Sequence, residues 1–490
     1  MVSKKAVQFL SGRHPLENPN VQAVFQKAGS LPLHLVGGCL RDNIDVPANR
    51  STAILSRNIK PTTDFDFTVG GDALTFAAEI ARQLNGHFVV LDQSFDIARV
   101  VLADGSYLDF AGYKGSLEED VLRRDLTINA LLLEPGNPDQ IIDLVGGLSD
   151  LEQNLVRAVS EESLLDDPLR LLRVYRFAVA RAAAIDEATR SYLAKPENLA
   201  RLAGIARERV NYELFTMMNY DGVGMYIHDM GKCGMLETLF PELRDCRRVT
   251  SNSFHHLALF DHSLETIPQL EAKMPSLPAY IEQSANREIA HGVTRLAVAK
   301  LSALLHDIGK PETWVIQPDG RHSFIAHDKV GAAMVKPLAE REKWPKSISR
   351  LVEKLVLWHL RPGQLFHTGE PTQKALNRFY RNAGEDFPEL MLITFADFGA
   401  TMGPGLSGEK RENLERCFHR LLEQYPAYIE QAKCLPRLLS GEDVMSLLGV
   451  GPGVLVGEIL QAVSEAQEIK EVTNRAQAEA LARSIYDAKK

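Results

Sequence analysis

The chain has 490 residues, 45% of them hydrophobic and 24% charged, with a formal charge of −9. That length calls for several domains, and the composition is that of a globular protein rather than a disordered or fibrous one. No apolar run approaches a membrane span, the N-terminus lacks a signal-peptide core, and the five cysteines (Cys39, Cys233, Cys246, Cys417, Cys434) form no CxxC pair; these features argue against a zinc ribbon and lead to the expectation of a reducing, cytoplasmic setting without a membrane.

In chain order, residues 1–30 read as a short leader helix. From 31 to 145, strand and helix signals alternate. A strand at 33–36 runs into Gly37-Gly38-Cys39-Leu40-Arg41-Asp42, and the polar stretch 43–63, with Pro47 and Pro61, reads as a loop insertion. Next come a strand at 64–69, a helix at 72–85, strands at 87–91, 97–102 and 106–110, and a helix at 119–133. Asp104-Gly105 marks the last two strands as a hairpin. In Asp64-Phe65-Asp66-Phe67 the alternation puts both carboxylates on one face and both rings on the other. Adjacent carboxylates repel and call for a counter-charge, which a divalent metal supplies; Mg²⁺ takes one or two carboxylates plus substrate phosphates. Glycine lets a backbone approach a phosphate, and Arg41 lies just beyond the glycine pair. Together these outline a site for nucleotidyl transfer from a triphosphate. Asp109 is a candidate third carboxylate, although its spacing fits an exposed strand acid equally well.

Two basic helices follow. In Leu122-Arg123-Arg124-Asp125-Leu126-Thr127-Ile128-Asn129-Ala130-Leu131, Leu122, Leu126, Ile128 and Leu131 are expected to pack inward. Asp125 and Asn129 share a face, and Arg123 and Arg124 offer forks suited to a triphosphate. In the second, Asp167 is the expected N-cap and Pro168 the first helical residue. Arg170, Arg173 and Arg176 form a stripe opposite Leu169, Leu172 and Phe177. Such a stripe serves either as a salt-bridged face or as a surface for phosphate or base contact.

Beyond about 150 the chain reads as almost wholly helical, divided near 267–278, at Pro311–Gly320 and at Met402–Gly405. His262, His306-Asp307 and Asp397 each fall on a helical pattern, and His327-Asp328 and His359 lie between the last two; His255-His256 read as ordinary polar residues.

These segments, in this order, resemble the class II tRNA nucleotidyltransferases and the related bacterial poly(A) polymerases. The resemblance covers about 33–215 and rests on Gly-Gly-x-x-Arg-Asp, Asp-x-Asp, Arg-Arg-Asp-x-Thr-x-Asn-Ala and Asp-x-x-Arg-x-x-Arg-x-x-Arg. It implies that Asp64 and Asp66 hold catalytic Mg²⁺, and that Gly38 and Arg41, with Gly37 and Asp42 of the same motif, bind the triphosphate. It implies that Arg124, Asp125 and Asn129 contact phosphate and ribose, and that Asp167 and Arg170 template the base of CTP or ATP. Asp143–Asp150 resembles the family's hinge between head and neck, and Arg207-Glu208-Arg209-Val210 its neck-closing motif. The stretch 110–122 is shorter than in family members that add all of CCA, which points toward CC addition. The stretch 43–63 is longer than the family norm.

The order His262, His306-Asp307, Asp397 resembles the HD phosphohydrolases. That resemblance implies a metal on these four residues, and a second metal or a phosphate on His327 and His359. Imidazole and carboxylate together suit Mn, Fe, Ni or Zn better than Mg alone. Gly441–Leu460 resembles the tail of nucleotidyltransferases that carry an HD domain, where the choice lies between packing and holding tRNA. The expected architecture is therefore α+β: a nucleotidyltransferase mixed-sheet head (1–145), a helical neck for base and RNA binding (146–245), an α-helical HD domain (246–400) and a helical tail (401–490). The expected partners are tRNA, CTP and ATP. The expected function is metal-dependent transfer of CMP and/or AMP from CTP and ATP to the 3′ end of tRNA (CCA addition or repair), with phosphohydrolase activity in the HD domain. The alternatives are CC addition only, poly(A) addition, or an RNA-binding module on an HD hydrolase, and the intact Asp-x-Asp argues against the last.

Overall fold

The computed structural model describes residues 4–47, 49, 63–252, 256–367, 369–403, 405 and 408–489. The chain folds as two compact units, Met1–Pro241 and Glu242–Lys490.

The first unit holds strands β1 (Lys4–Ala6), β2 (Leu33–Val36), β3 (Asp64–Val69), β4 (His87–Asp92), β5 (Ile97–Val101), β6 (Tyr107–Gly112), β7 (Leu132–Leu133) and β8 (Gln140–Ile142). They form a mixed sheet in the order β1-β8-β7-β2-β3-β6-β5-β4. Helices α1 (Pro19–Ala28), α2 (Gly38–Arg41), α3 (Ala73–Leu84) and α4 (Leu117–Leu122) lie between them in sequence. β3 is central: it pairs antiparallel with β2 and parallel with β6. A parallel pair needs a long crossover, which α3 and the β4–β5 hairpin provide. The alternation of β3 buries Phe65 and Phe67. The Phe67 ring stacks on Phe110 at 5.1 Å, and Phe76 meets Phe110 edge-on at 5.6 Å. Each ring pair adds about 0.5–1.5 kcal/mol beyond its burial. The opposite face of β3 is left to its carboxylates.

Helices α5 (Arg170–Arg181) and α6 (Arg207–Met218) follow the head. α5 buries Leu171, Leu172, Val174, Tyr175, Phe177 and Ala178, and its arginines emerge on the other side.

Several expectations are corrected. The 1–30 segment is not simply a helix, since Lys4–Ala6 pairs with β8 before α1 begins. The expected 119–133 helix breaks after Leu122, which is 55% exposed; a 3-10 turn at Thr127–Asn129 and then β7 follow. Leu126, Ile128 and Leu131 are nonetheless fully buried. Leu169, not Asp167, caps α5; Asp167 Oδ1 accepts from the Leu169 amide at 3.3 Å, one turn earlier. The almost wholly helical reading beyond 150 misses three short two-stranded pairs among the described residues. One of them, Val315–Ile316 with His322–Ser323, occupies the supposed 311–320 turn. Most of the 43–63 insertion (48 and 50–62), His255 and Pro404 lie outside the described residues.

In the second unit, α7 (Leu259–Lys273), α8 (Arg295–Leu305), α9 (His327–Arg341), α10 (Lys346–Trp358) and α11 (Phe387–Ala400) enclose a core. α7 continues through Pro268 and breaks only at the 3-10 turn Met274–Ser276. Every residue of α8 is buried, as expected of a helix apolar on all sides. Its two cations are paired: Arg295 with Asp386 and Glu389, Lys300 with Glu271. Helices α12 (Gly441–Leu448), α13 (Val454–Glu468) and α14 (Arg475–Ala488) form a separate cluster around Val444, Ile459, Val463, Ala478 and Ala482. No helix among the described residues is long and apolar enough to cross a membrane.

Candidate active sites

The head site starts from strand register. Asp66 lies opposite Val36 on β2 and opposite Asp109 on β6. β3 and β6 are parallel, so Asp64, Asp66 and Asp109 share one face. Burial pushes the Asp66 carboxyl up to about 6, with the charges of Asp109 and Asp64 adding to the effect against Arg124 and Arg41. A carboxylate so placed lacks counter-charge, and a cation bound here would supply it. Asp109 is itself held by Arg99, whose Nε and Nη2 donate to its two oxygens at 2.7 Å each. Arg99 is a residue sequence reasoning missed, yet the hairpin register contained it, since Arg99 and Asp109 stand symmetrically about Asp104.

Gly37 joins β2 to α2 with φ 85° and ψ −145°, a region open essentially only to glycine. A Cβ there would also lie 2.7 Å from Asp66 Oδ2. Arg41, at the end of α2, donates through Nε and Nη2 to Asp42 at 2.7 and 2.5 Å and through Nη1 to Asn129 Oδ1 at 2.6 Å. Asn129 Nδ2 in turn donates to Asp125 Oδ1 at 3.0 Å, and Arg173 reaches Asp125 Oδ2 at 2.7 and 3.0 Å. The expected Arg-Arg-Asp helix is thus an irregular segment whose polar side chains are tied to the glycine motif on one side and to α5 on the other. Burial works against the Asp125 charge, but Arg173 and the Asn129 hydrogen bond outweigh it and hold the carboxyl down at about 2. Arg124 Nη2 pairs with Asp120 at 3.0 Å, whereas the Arg123 side chain is exposed and its backbone makes the contacts, the N–H donating to the Asp120 carbonyl and the carbonyl accepting from Arg170.

The arginine stripe of α5 is a partly buried face of paired cations. Arg170 Nη1 donates to the carbonyls of Arg123 and Ser163, and Arg176 pairs with the buried Glu213. Arg41, Arg173 and Arg176 stand over the Phe177 ring at 4.7, 5.2 and 4.1 Å; the negative face of the ring helps this many cations coexist. Asp167 pairs with Arg209 at 2.6 Å. Arg124, Asp125, Asp167, Arg170, Arg173, Arg209 and the 68%-exposed Tyr212 line a cavity of about 610 Å³, a size suited to a nucleotide. The structure brings together Asp64, Asp66 and Asp109, links Gly37, Arg41, Asp42, Asn129, Asp125 and Arg173, and leaves the Arg123 side chain apart. Arg209 belongs to the neck-closing motif named from the sequence, while Glu213 and Arg181 are further polar members that the sequence reading did not single out.

The second unit carries a separate polar centre. α7 presents His262, the end of α8 presents His306-Asp307, and α11 presents Asp397. His262 Nε2 lies 3.1 Å from Asp397 Oδ1 and 3.7 Å from Asp307 Oδ2; His306 Nε2 lies 3.1 and 3.7 Å from Asp307 and Asp397. His327 and His359 approach Asp307 Oδ1 at 3.2 and 3.6 Å, and Lys310 meets Asp307 Oδ2 at 2.5 Å. The rings of His306, His327 and His359 each place Nδ1 2.7 Å from the carbonyl three residues earlier. A carbonyl only accepts, so we assign the proton to Nδ1, which leaves Nε2 as a ligand facing the centre. His306 Nε2 and both Asp307 oxygens are buried without a well-aligned hydrogen bond. Among the described residues two ligand sets, His262-His306-Asp397 and His306-Asp307-His359, each bring their donor atoms within 4.8 Å of one another. This donor set fits a metal. His256 is exposed and lies outside both sets.

Two family models match stretches of the chain. The Poly A polymerase head domain matches residues 33–157 and the HD domain matches residues 259–398; both families are metal-dependent. The chain is 32% identical over 443 residues to an A-adding tRNA nucleotidyltransferase of Deinococcus radiodurans, covering 89% of this chain and 92% of that protein. It is 31% identical over 454 residues to a CC-adding tRNA nucleotidyltransferase of Thermus thermophilus, covering 91% and 92%. Its fold is similar to the Thermotoga maritima CCA-adding enzyme complexed with tRNA, with a TM-score of 0.62 at 19% identity, covering 99% of this chain and 100% of that one. It is also similar to a CCA-adding enzyme in complex with CTP, with a TM-score of 0.63 at 20% identity, covering 99% and 98%. With its α+β head, its helical second unit and its identity to these relatives along nearly the whole chain, this nucleotidyltransferase belongs to the tRNA nucleotidyltransferase family.

Proposed function

We propose that the chain extends the 3′ end of tRNA by transferring CMP from CTP, as a CC-adding enzyme. The observation that carries this reading is the short connection from β6 to the Arg-Arg-Asp segment. β6 ends at Gly112 and α4 begins at Leu117, with Ser116 and Glu119 closing a capping box. Nothing in that stretch resembles the long flexible loop that the family associates with switching to A addition. The names of the relatives support tRNA as acceptor, and the solved neighbours with tRNA, CTP and ATP support these partners. The 32% identity to an A-adding enzyme supports a second reading, AMP transfer from ATP. The test supplies CTP and ATP separately to tRNAs ending at the discriminator base, in C and in CC, and sequences the products. CTP should extend the first two, and ATP should extend the CC-ended tRNA poorly; efficient ATP addition there would replace the first reading by the second.

In this proposal Asp64 and Asp66 hold Mg²⁺, and Asp109, oriented by Arg99, completes the carboxylate set. Mg²⁺ held by these carboxylates would supply a lowered pKa for the RNA 3′-hydroxyl and positive charge for the departing pyrophosphate. Gly37 and Gly38 let the backbone approach the triphosphate, while Arg41 and Arg124 neutralise its oxygens. Asp125 and Asn129 position Arg41 and contact the ribose. Asp167 and Arg170 read the base edge, the carboxylate accepting from an amino group and the guanidinium donating to ring acceptors; Arg173 and Arg176 hold α5 in place behind them. The proposed division is head 1–145, neck 146–245, HD domain 246–400 and tail 401–490, with the tail holding tRNA.

For the second centre we propose phosphoester hydrolysis, with 2′,3′-cyclic phosphates as substrates, on a metal held by His262, His306, Asp307 and Asp397. His327 and His359 would take a second metal or a phosphate. The donors favour Mn, Ni, Fe or Zn over Mg. Metal analysis of the purified protein and assay of bis-p-nitrophenyl phosphate and cyclic phosphates test this; protein free of metal and inert with each added metal would leave a structural HD domain.

A further inference from the structure

Arg181 closes helix α5, and its side chain is 7% exposed. Nη1 lies 3.4 Å from Asp42 Oδ1, while Nη2 is buried without a hydrogen-bond partner. Asp42 also accepts two bonds from Arg41. One half-exposed carboxylate therefore stands between two guanidiniums, those of Arg41 and Arg181, so the three groups together carry one positive charge. Burial and the nearby Arg41 push Arg181 down to about 10, which leaves it charged at neutral pH. Three donors of Arg41 are committed to Asp42 and Asn129, fixing the plane of its guanidinium, and the remaining N–H groups are left for a phosphate. The difficulty with such an arrangement is electrostatic: the carboxylate that orients Arg41 also cancels its charge.

We infer that Arg181 is a positioning residue for the nucleotide triphosphate: it neutralises Asp42, so that Asp42 can orient Arg41 without cancelling the charge that Arg41 offers to phosphate. The inference rests on the reading that Arg41 binds the triphosphate. It gives α5 two jobs at opposite ends, with base reading near Arg170 and phosphate binding through Arg181. A tether role alone, in which Arg181 only ties the neck helix to the head, would cost stability and leave phosphate binding untouched.

The test measures binding of CTP and CMP to the full-length protein with Mg²⁺. Arg181→Gln should weaken CTP roughly tenfold, the scale of losing one charge a short distance from the ligand, and ATP by the same factor. CMP, with a single phosphate, should be affected far less. Arg181→Lys should restore most of the loss. If Arg181→Gln does not fold, Arg181→Lys and Arg181→Met carry the test: the first, which keeps the charge, should bind CTP within about threefold of wild type, and the second should lose CTP binding roughly tenfold. Unchanged CTP binding in a folded variant that lacks the charge, equal loss for CTP and CMP, or no recovery in Arg181→Lys would overturn the inference. Arg41→Ala separates the two layers: wild-type CTP binding in that variant would remove the underlying reading, whereas a loss there with none in Arg181→Gln would remove only the role of Arg181.

Discussion

Substituting Gly37 by alanine tests whether the glycine motif sets the geometry of the carboxylates. Two independent costs follow from the structure. The backbone at φ 85° and ψ −145° lies where an L side chain is strained, at a cost of about 1–3 kcal/mol. The new Cβ would stand 2.7 Å from Asp66 Oδ2, well inside van der Waals contact. Asp66 is confined by the Val36 and Asp109 registers on either side, so its carboxylate must swing while its backbone stays. A displacement approaching 1 Å at a reacting centre costs about 10²-fold in rate. Gly37→Ala should therefore lose about 1–3 kcal/mol of stability in urea denaturation, and roughly a hundredfold in single-turnover CMP incorporation at saturating CTP. A folded variant with incorporation within a few-fold of wild type would refute the claim that Gly37 and Asp66 must touch.

Asp64→Ala and Asp66→Ala should each abolish incorporation with the circular-dichroism spectrum unchanged; near-wild-type turnover in either would sink the assignment of the metal pair. Asp167→Ala should relax discrimination against UTP and GTP by about 1–3 kcal/mol, tenfold or more, as read from competition incorporation, whereas Arg41→Ala should weaken all nucleotides alike; unchanged selectivity in Asp167→Ala would remove the template role. His306→Ala should lose bound metal and phosphoester hydrolysis but keep nucleotide addition, and loss of both activities in a folded protein would contradict separate sites. The Asp125 carboxyl, held at about 2 by Arg173 and Asn129 against burial, sits below its ordinary value near 3.8. Its contribution to stability is thus fully present above pH 4 and lost as pH falls through 2. On the order of 2 kcal/mol should disappear over that window, and denaturation curves of wild type and Asp125→Asn should converge there; parallel curves would show that the Arg173 pair carries no such weight.

What was legible in the sequence was what local periodicity controls. The alternation Asp64-Phe65-Asp66-Phe67 placed two carboxylates opposite two core rings, and Asp104-Gly105 set the hairpin that carries Asp109. The glycine motif lay next to both because β2 and β3 are neighbours. The failures share a cause, which is that long-range partners overrode local propensity. The stretch after Leu122 has helical spacing, yet Asp125 bonds to Arg173, 48 residues on, and Arg123 gives its carbonyl to Arg170. A continuous helix could not serve both. Lys4–Ala6 is a strand only because β8, more than 130 residues away, offers an edge. Asp167 has the chemistry of an N-cap, but Arg209 draws its carboxylate outward.

The same contrast explains why the HD ligands were easier to name than the partners of the head arginines. His306 and Asp307 follow a helix buried at every position, and a helix so apolar leaves few places for polar side chains other than its end. The Nδ1-to-carbonyl contacts that fix the imidazoles are local, spanning three residues each, so ligand and support arrive in one stretch of chain. In the head the reverse holds. Arg41 depends on Asp42 beside it, but also on Asn129, 88 residues later, and Asp42 depends on Arg181, 139 residues later. A charge network closed over such distances leaves no periodic trace, because each member is satisfied by a partner that only the fold supplies. This is also why the arginines of α5 cannot be sorted by spacing: Arg170, Arg173 and Arg176 recur every three residues, yet one bonds carbonyls, one bonds Asp125 and one bonds Glu213. Their separate roles come from what faces them, and substitutions at the three positions should therefore differ in kind and not only in size.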